Sequence, residues 1–502
     1  MENELLIVLL IPLFAGILSI FSWKNTRLQK YIFIGGTTAL LLAAINLLNS
    51  VIAHEVITLQ SAGWGAPYGI TMVADLLSTI MILLTSITAI AVAVFSLSDV
   101  DQSRLNFGFY PLMCFLLFSV CGAFLSGDVF NLYVWFEMML ISSFVLMALG
   151  NTKPQLEGAI KYVTLNIVSS AFFLAGTGIL YGLTGTLNMA DLALRLSAIP
   201  DQNLVTLAAI FFFIAFGVKA AIFPLFSWLP ASYHTPPVTV SAFFAGILTK
   251  VGVYAFIRFF TMIFNHDSVF IDNLLLITAG TTMLVGVLGA AAQMEFRKIL
   301  SFHIISQIGY MIMGLALNTK LALAGAVFYI MHHIIVKTNL FLVSGVVNRL
   351  KGSFQLKKLG GVYSKYPLLG ILFVISAFSL AGFPPLSGFW AKFILIKAGL
   401  EVQDYLIVTV ALVVGFLTLY SMTKIWNEVF WKKMTIEEES EKEISPVGLW
   451  SITPMVIPVV FLATITLAIG LFGEPVMKLA MMTAEQLQSP EIYINKVLGL
   501  NE

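Results

Sequence analysis

Charge and proton-binding chemistry sit in this chain where the surrounding residues carry none. Glu137 closes the stretch Asn131-Leu132-Tyr133-Val134-Trp135-Phe136-Glu137 inside an apolar run, and His332 and His333 share another run with Lys337. Of the 27 Lys and Arg residues, five fall inside apolar runs: Lys219, Lys250, Lys337, Lys392 and Lys424. A bare charge at the centre of a bilayer costs at least about 2.5–3.5 kcal/mol. These groups must therefore face a bundle interior, a wet cavity or each other. At a helical rise of about 1.5 Å per residue, Lys219 lies roughly fifteen residues into its run, Lys250 about twelve and Lys337 about sixteen. Glu137 is roughly eight to twelve residues from either end of its own run. All four are expected near one depth, the midplane.

One glutamate cannot neutralise four central lysines, so some must be neutral, switch, or meet water. Desolvation makes a buried amine release its proton more easily, and a carboxylate nearby reverses the effect. Moving the partner thus changes proton affinity, which is the physical basis of a proton relay. His333 precedes Lys337 by four residues and shares its helix face. An imidazole titrates near neutral pH and suits a bridge between lysines. His332 points elsewhere, and His303 with Ser306 can add polar links. Each group alone could be a structural ion pair or a satisfied core histidine. Their common depth argues for transfer through Glu137, Lys219, Lys250, His333, Lys337 and Lys392. Lys424 lies near the end of its run, where snorkelling accounts for it.

The elements that must position these groups follow from composition. The 502 residues are 59% hydrophobic and 11% charged, against roughly a quarter charged in a soluble domain. Lipid is the solvent such a chain requires. Hydropathy divides it into about 14 transmembrane helices, an all-α membrane protein. The formal net charge of +1 gives no nucleic-acid signal. Cys114 and Cys121 lie in one apolar run and read as buried small hydrophobes. With no Cys-x-x-Cys, His/Cys cluster or phosphate-binding glycine loop, no metal, iron–sulfur or nucleotide cofactor is expected.

The N-terminus begins Met1-Glu2-Asn3-Glu4, and basic residues follow the first apolar run, which reads as a retained span. Lys and Arg crowd alternate loops, including 23–30, 350–365 and 431–445, which places those loops in the cytoplasm. Both termini are then outside. Loop 431–445, with Glu437-Glu438-Glu439, reads as a charged linker.

Two spans are interrupted. Lys219 precedes Phe223-Pro224-Leu225-Phe226-Ser227, and Lys392 follows Phe383-Pro384-Pro385-Leu386-Ser387. Proline removes a helical hydrogen bond, and a break at membrane depth survives only inside protein or against cavity water. The broken spans are the seventh and twelfth. Their odd separation makes the copies antiparallel, as in inverted-repeat transporters. The expected organisation is N-terminal helices in 1–106, inverted five-helix repeats in 107–262 and 263–430, and a loop, a last helix and a tail in 431–502.

The run Phe216-Gly217-Val218-Lys219-Ala220-Ala221-Ile222-Phe223-Pro224-Leu225 continues through Trp228-Leu229-Pro230, His234-Thr235-Pro236-Pro237-Val238 and Leu248-Thr249-Lys250-Val251-Gly252. It resembles the antiporter-like subunits of respiratory complex I and the large subunits of Mrp-type Na+/H+ antiporters, over about spans three to thirteen. Glu137 and Lys219 match that family's glutamate–lysine pair in spans five and seven. Lys250, His333 with Lys337, and Lys392 match the later members of its charged axis. Within the family the D type of Mrp subunit is most similar: the A type is much longer, the L type carries a long lateral helix, and the M type usually has glutamate at the position of Lys392, although the N type shares the lysine.

The resemblance implies a proton-conducting subunit in the cell membrane, with other membrane subunits as partners, Na+ and protons as transported ions, lipid around it and no redox cofactor of its own. A second possibility is a proton-pumping module of a complex I-like or hydrogenase complex. A third is a non-transporting scaffold whose charges are structural. From the charge asymmetry, cysteines placed in loops 23–30, 350–365 and 431–445 should resist impermeant thiol reagents applied outside. Ready labelling of all three would invert the topology.

Overall fold

The computed structural model describes residues 2–199, 202–264, 269–433 and 449–500. The acidic part of loop 431–445 lies outside the described residues. The helices numbered below are α1 (Glu2–Phe21), α2 (Thr26–His54), α3 (Leu76–Asp99), α4 (Phe109–Leu125), α5 (Val129–Ala148), α6 (Lys153–Thr184), α7 (Asn203–Ala220), α8 (Val238–Ile263) and α9 (Val269–Ala292). They continue with α10 (Phe296–Ala316), α11 (Lys320–Lys351), α12 (Pro367–Ala381), α13 (Ser387–Glu401), α14 (Tyr405–Trp431), α15 (Leu449–Leu471), α16 (Gly473–Gln488) and α17 (Glu491–Leu498). Among the described residues, twelve helices are long and apolar enough to cross a membrane. The shorter apolar helices α4 and α12 fall where the sequence expects its fourth and twelfth spans.

Local chemistry sets the ends. Asp75, Asp128, Asn188, Glu295 and Thr319 cap helix N-termini with side-chain oxygens, which satisfies amides that have no intrahelical partner. Glycines in the left-handed region, Gly185, Gly352 and Gly382, close α6, α11 and α12. A short hairpin, Ile57–Gln60 with Thr71–Ala74, precedes α3. Apolar content alone does not reveal it, because residues 70–74 read as the start of the third span.

Helices α8 and α11 are buried along their whole apolar stretch and α10 nearly so, while α1 and α2 expose most of theirs. The core is therefore the middle of the bundle, and Lys250, His333 and Lys337 lie on its central helices. Small residues bring the backbones together there. A Cβ on Gly252 of α8 would lie 2.6 Å from the amide nitrogen of Ala220 and 2.9 Å from the carbonyl carbon of Lys219. A Cβ on Gly246 would lie 2.4 Å from Thr338 Oγ1 of α11.

The broken spans are not single helices. After α7 the chain turns through Ala221, at φ 60°, to the short helix Trp228–Ser232 and into α8. After α12 it turns through Gly382, at φ 94°, into α13. Two isolated bridges occupy corresponding places in the chain: Asp128 with Asn188 joins the α4–α5 turn to the α6–α7 connection, and Glu295 with Gln355 joins the α9–α10 turn to the α11–α12 connection.

Gly252→Val places side-chain atoms on the backbone of Ala220, and overpacking of this kind costs about 1–3 kcal/mol. It should lower the melting temperature of the protein, whereas Gly35→Ala, with nothing within 4 Å of its new Cβ, should not. Equal melting of the two variants would contradict the close approach of α7 and α8.

Candidate functional site

Glu137 lies midway along α5, and its carboxylate accepts a hydrogen bond from Ser170 of α6. The Ser170 hydroxyl also reaches the Asn166 carbonyl at 3.0 Å. Lys219 sits in the last turn of α7, with its Nζ 5.7 Å from the centre of the Phe136 ring and without a hydrogen-bond partner among the described residues. Glu137 is its charged neighbour, yet no ion pair joins the two among the described residues. Phe136 meets the ammonium instead, as aromatic faces do within about 6 Å of a cation. The break beyond Lys219 is well satisfied. The Trp228 indole donates to the Val218 carbonyl at 2.9 Å, and the Phe223 amide to Thr282 Oγ1 at 2.9 Å.

Lys250 follows a π turn, Phe244–Leu248, in α8. Such a turn widens the backbone ladder, and the Ala245 carbonyl within it accepts from Lys250 Nζ at 2.5 Å. His333 and Lys337, on α11, are fully buried, and neither His333 nitrogen nor Lys337 Nζ has a partner among the described residues. Lys250 and Lys337 are charged neighbours of His333, and Lys250 is a neighbour of Lys337. These three sequence candidates are brought together where Gly246 lets α8 approach α11.

Lys392 lies beyond the second break but folds back to it. Its Nζ donates to the Ala381 carbonyl, in the last turn of α12, at 2.9 Å and lies 5.1 Å from the centre of the Tyr310 ring. The Tyr310 hydroxyl donates to the Ala411 carbonyl at 2.5 Å. Lys392 borders a cavity of about 480 Å³ lined also by Gly382, Phe389, Gly415 and Phe416.

His332, which the sequence sets aside, belongs to this break. Its Nδ1 lies 2.8 Å from Ser387 Oγ, and Ser387 Oγ lies 2.9 Å from Ser379 Oγ. Adjacent helical residues point about 100° apart, so His333 faces Lys250 while His332 faces the break. The serine that ends the Phe-Pro-x-x-Ser segment was the available signal. Tyr329, whose ring stacks on Tyr310 at 5.1 Å and whose hydroxyl donates to Gln307, was also missed. Ser306 donates to the Met283 carbonyl at 3.0 Å and holds helices together rather than linking charges. His303 is buried without a partner among the described residues, with Lys337 and Lys392 as charged neighbours.

Lys424 is only partly buried and reaches the end of a neighbouring span. Its Nζ donates to the carbonyls of Ala291 and Gln293, each at 2.7 Å, at the C-terminal end of α9. Arg258 is buried on α8 and paired with Asp75 at 2.5 Å. Outside the spans, burial and the charges of Lys298 and Arg297 push the His234 imidazole down to about 4, so it is neutral across physiological pH.

Residues 126–418 match the family model described as "NADH:quinone oxidoreductase/Mrp antiporter, TM". The chain is 44% identical to the D-type subunit of the Na(+)/H(+) antiporter of Alkalihalophilus pseudofirmus over 99% of its own length and 100% of that protein's. It is 39% identical to the corresponding antiporter protein of Bacillus subtilis over the same shares. Among solved structures it superposes on a chain of the Mrp complex from Dietzia sp. with TM-score 0.91 and 32% identity, covering 99% of both chains. A chain of the archaeal membrane-bound sulfane sulfur reductase gives TM-score 0.91 at 25% identity, covering 98% of this chain and 99% of that one. Respiratory complex I from Thermus thermophilus gives 0.80 at 21%, covering 96% and 99%, a likeness of fold.

With two carbonyls as partners, Lys424 is a clasp between α14 and α9. Lys424→Met should lower the melting temperature, at about 1–3 kcal/mol for carbonyls left without donors, and leave the transfer rate per folded complex unchanged. A tenfold loss of rate at unchanged melting would add Lys424 to the transfer set.

Proposed function

The chain belongs to the NADH:quinone oxidoreductase/Mrp antiporter family, and we propose that it is the D-type, proton-translocating subunit of a multisubunit Na+/H+ antiporter. It is a multi-pass membrane protein and a secondary transporter subunit rather than an enzyme. The observation that carries the mechanism is a mismatch of charge. Lys219, Lys250, Lys337 and Lys392 are all buried, and among the described residues none forms an ion pair. Amines held in this way gain and lose protons as their surroundings shift, which a permanently paired lysine does not.

In this reading the groups pass protons along Glu137, Lys219, Lys250, His333, Lys337 and Lys392. His332 and Ser387 carry the step across the second break. Glu137 and Lys219 are the switch. Apart, the carboxylate rests on Ser170 and the ammonium on Phe136. Together, unit charges about 4 Å apart interact by about 4 kcal/mol at an effective dielectric near 20. The left-handed turn at Ala221 and the proline after it give α7 a joint at which that distance can change. A lysine-rich route repels a desolvated cation but can relay protons, so protons are the ions this route suits. The paired bridges and the paired breaks support inverted repeats at 107–262 and 263–430 within fourteen spans.

The same relay could serve a redox complex such as the sulfane sulfur reductase that the chain resembles. Identity of 44% over the full length of an antiporter subunit, against 25% to the reductase chain, favours the antiporter.

Glu137→Gln and Lys219→Ala should each reduce Na+/H+ exchange by about a hundredfold, the scale of a lost proton-transfer group, with the complex still assembled. Glu137→Asp should keep part of the activity. Lys392→Ala should behave as Lys219→Ala does, and the single chain without partners should not exchange. Wild-type exchange in assembled Glu137→Gln complexes would remove the switch.

A further inference from the structure

Tyr254 and Arg258 follow Lys250 at one and two helical turns, on the same face of α8. Arg258 donates to Asp75 Oδ2 at 2.5 Å, with only 5% and 2% of the two side chains exposed, and its Nη2 lies 3.5 Å from the Tyr254 hydroxyl. The Tyr254 hydroxyl donates to the Phe124 carbonyl at 2.7 Å. Asp75 is also the N-cap of α3, receiving the Ser78 amide at 2.9 Å. The group lies at the end of the bundle that the Lys/Arg asymmetry assigns to the outside. There α17 covers it: the Arg258 guanidinium is 5.1 Å from the centre of the buried Tyr493 ring. Gln60 tethers α17 through the Val497 carbonyl at 3.3 Å, and Gln486 of α16 receives the Leu76 amide at 3.0 Å.

A buried ion pair adds little net stability, because desolvation offsets its attraction. We propose that Asp75, Arg258 and Tyr254 form the external portal of the first repeat, with Tyr493 as its lid. The portal rests on the proton-relay reading above. When the lid lifts, an external proton lands on the Asp75 carboxylate and Arg258 is released from it. The Tyr254 hydroxyl turns from the Phe124 carbonyl, takes that proton on its oxygen and passes its own hydrogen to neutral Lys250, itself turned from the Ala245 carbonyl. Asp75 returns to the carboxylate, Lys250 becomes the ammonium, and one proton has moved inward. Arg258 then re-pairs with Asp75 and closes the way back.

The test uses the assembled complex in sealed vesicles. Asp75→Asn combined with Arg258→Gln keeps a hydrogen-bonded pair of similar shape and removes both charges. Tyr254→Phe removes only the hydroxyl. Both should assemble and lose about tenfold or more of the exchange rate, as for a deleted proton carrier. A structural clamp predicts wild-type exchange in both, which would overturn the portal. The lid is read separately and without transport, by an impermeant thiol reagent applied outside to Thr79→Cys, one turn beyond Asp75, in a Cys114→Ser, Cys121→Ser background. Labelling should be slow with Tyr493 present and about tenfold faster in Tyr493→Ala, where local opening is easier. Equal rates would overturn the lid even if the charge-free pair failed to assemble. Full exchange in Lys219→Ala would sink the relay instead, and the labelling result would still stand.

Discussion

The structure depends on one constraint: amines must be held in a low-dielectric interior without carboxylates enough to pair them. The Born cost of burying an ion is large, and real proteins meet it with hydrogen bonds, dipoles and water. Here the described partners are mostly backbone. Lys250 bonds a carbonyl loosened by a π turn, Lys392 bonds the carbonyl of Ala381, and Lys219 sits in the last turn of α7 beside an aromatic face. Two of these are helix C-termini, which carry roughly half a negative elementary charge. The breaks therefore have an electrostatic reason as well as a mechanical one, since each creates a helix end at a depth where an intact span has none.

The rest of the bundle keeps those ends in place. α8 and α11 are buried throughout because their lysines and histidines require protein on every side. Gly246 and Gly252 bring α8 against α11 and α7 near Lys250, Lys337 and Lys219. The peripheral helices α1 and α2 hold no such group and leave most of their apolar surface exposed. The Asp128–Asn188 and Glu295–Gln355 bridges each tie a turn between two helices to a connection about sixty residues further on, in both halves of the chain. The breaks themselves differ: Lys219 stands before its break and Lys392 after it, although both amines end near the C-terminus of a half-helix.

Much of this was legible in the sequence because membrane burial makes charge conspicuous. Glu137, Lys219, Lys250, Lys337 and Lys392 stand out against apolar neighbours, and proline marks both breaks. What was not legible depends on direction rather than depth. His332 and His333 differ by one position, and only packing shows that one faces a serine pair and the other a lysine. Lys424 resembled a snorkelling lysine, but the C-terminus of α9 lay within its reach. Arg258 stands near a span end, and nothing local marks its partner Asp75, 183 residues away in sequence. The hairpin before α3 was hidden by its own hydrophobicity, since strand and span are both apolar over four residues.

Backbone partners have a consequence that carboxylate partners would not. A carboxylate keeps its charge when a helix shifts, so an ion pair resists change and then breaks abruptly. A carbonyl at a helix end, or within a π turn, presents its dipole only while that local geometry lasts. If the wide turn at Phe244–Leu248 tightened toward an ordinary α turn, the Ala245 carbonyl would return to the ladder and Lys250 would lose its acceptor. The lysine would then turn toward His333 on the facing helix. Small rearrangements of backbone at three places can in this way alter the proton affinity of three amines without moving any fixed charge across the interior. Glu137 is the exception: in the proposed switch a carboxylate on α5, rather than a carbonyl, meets Lys219 as α7 moves at its joint.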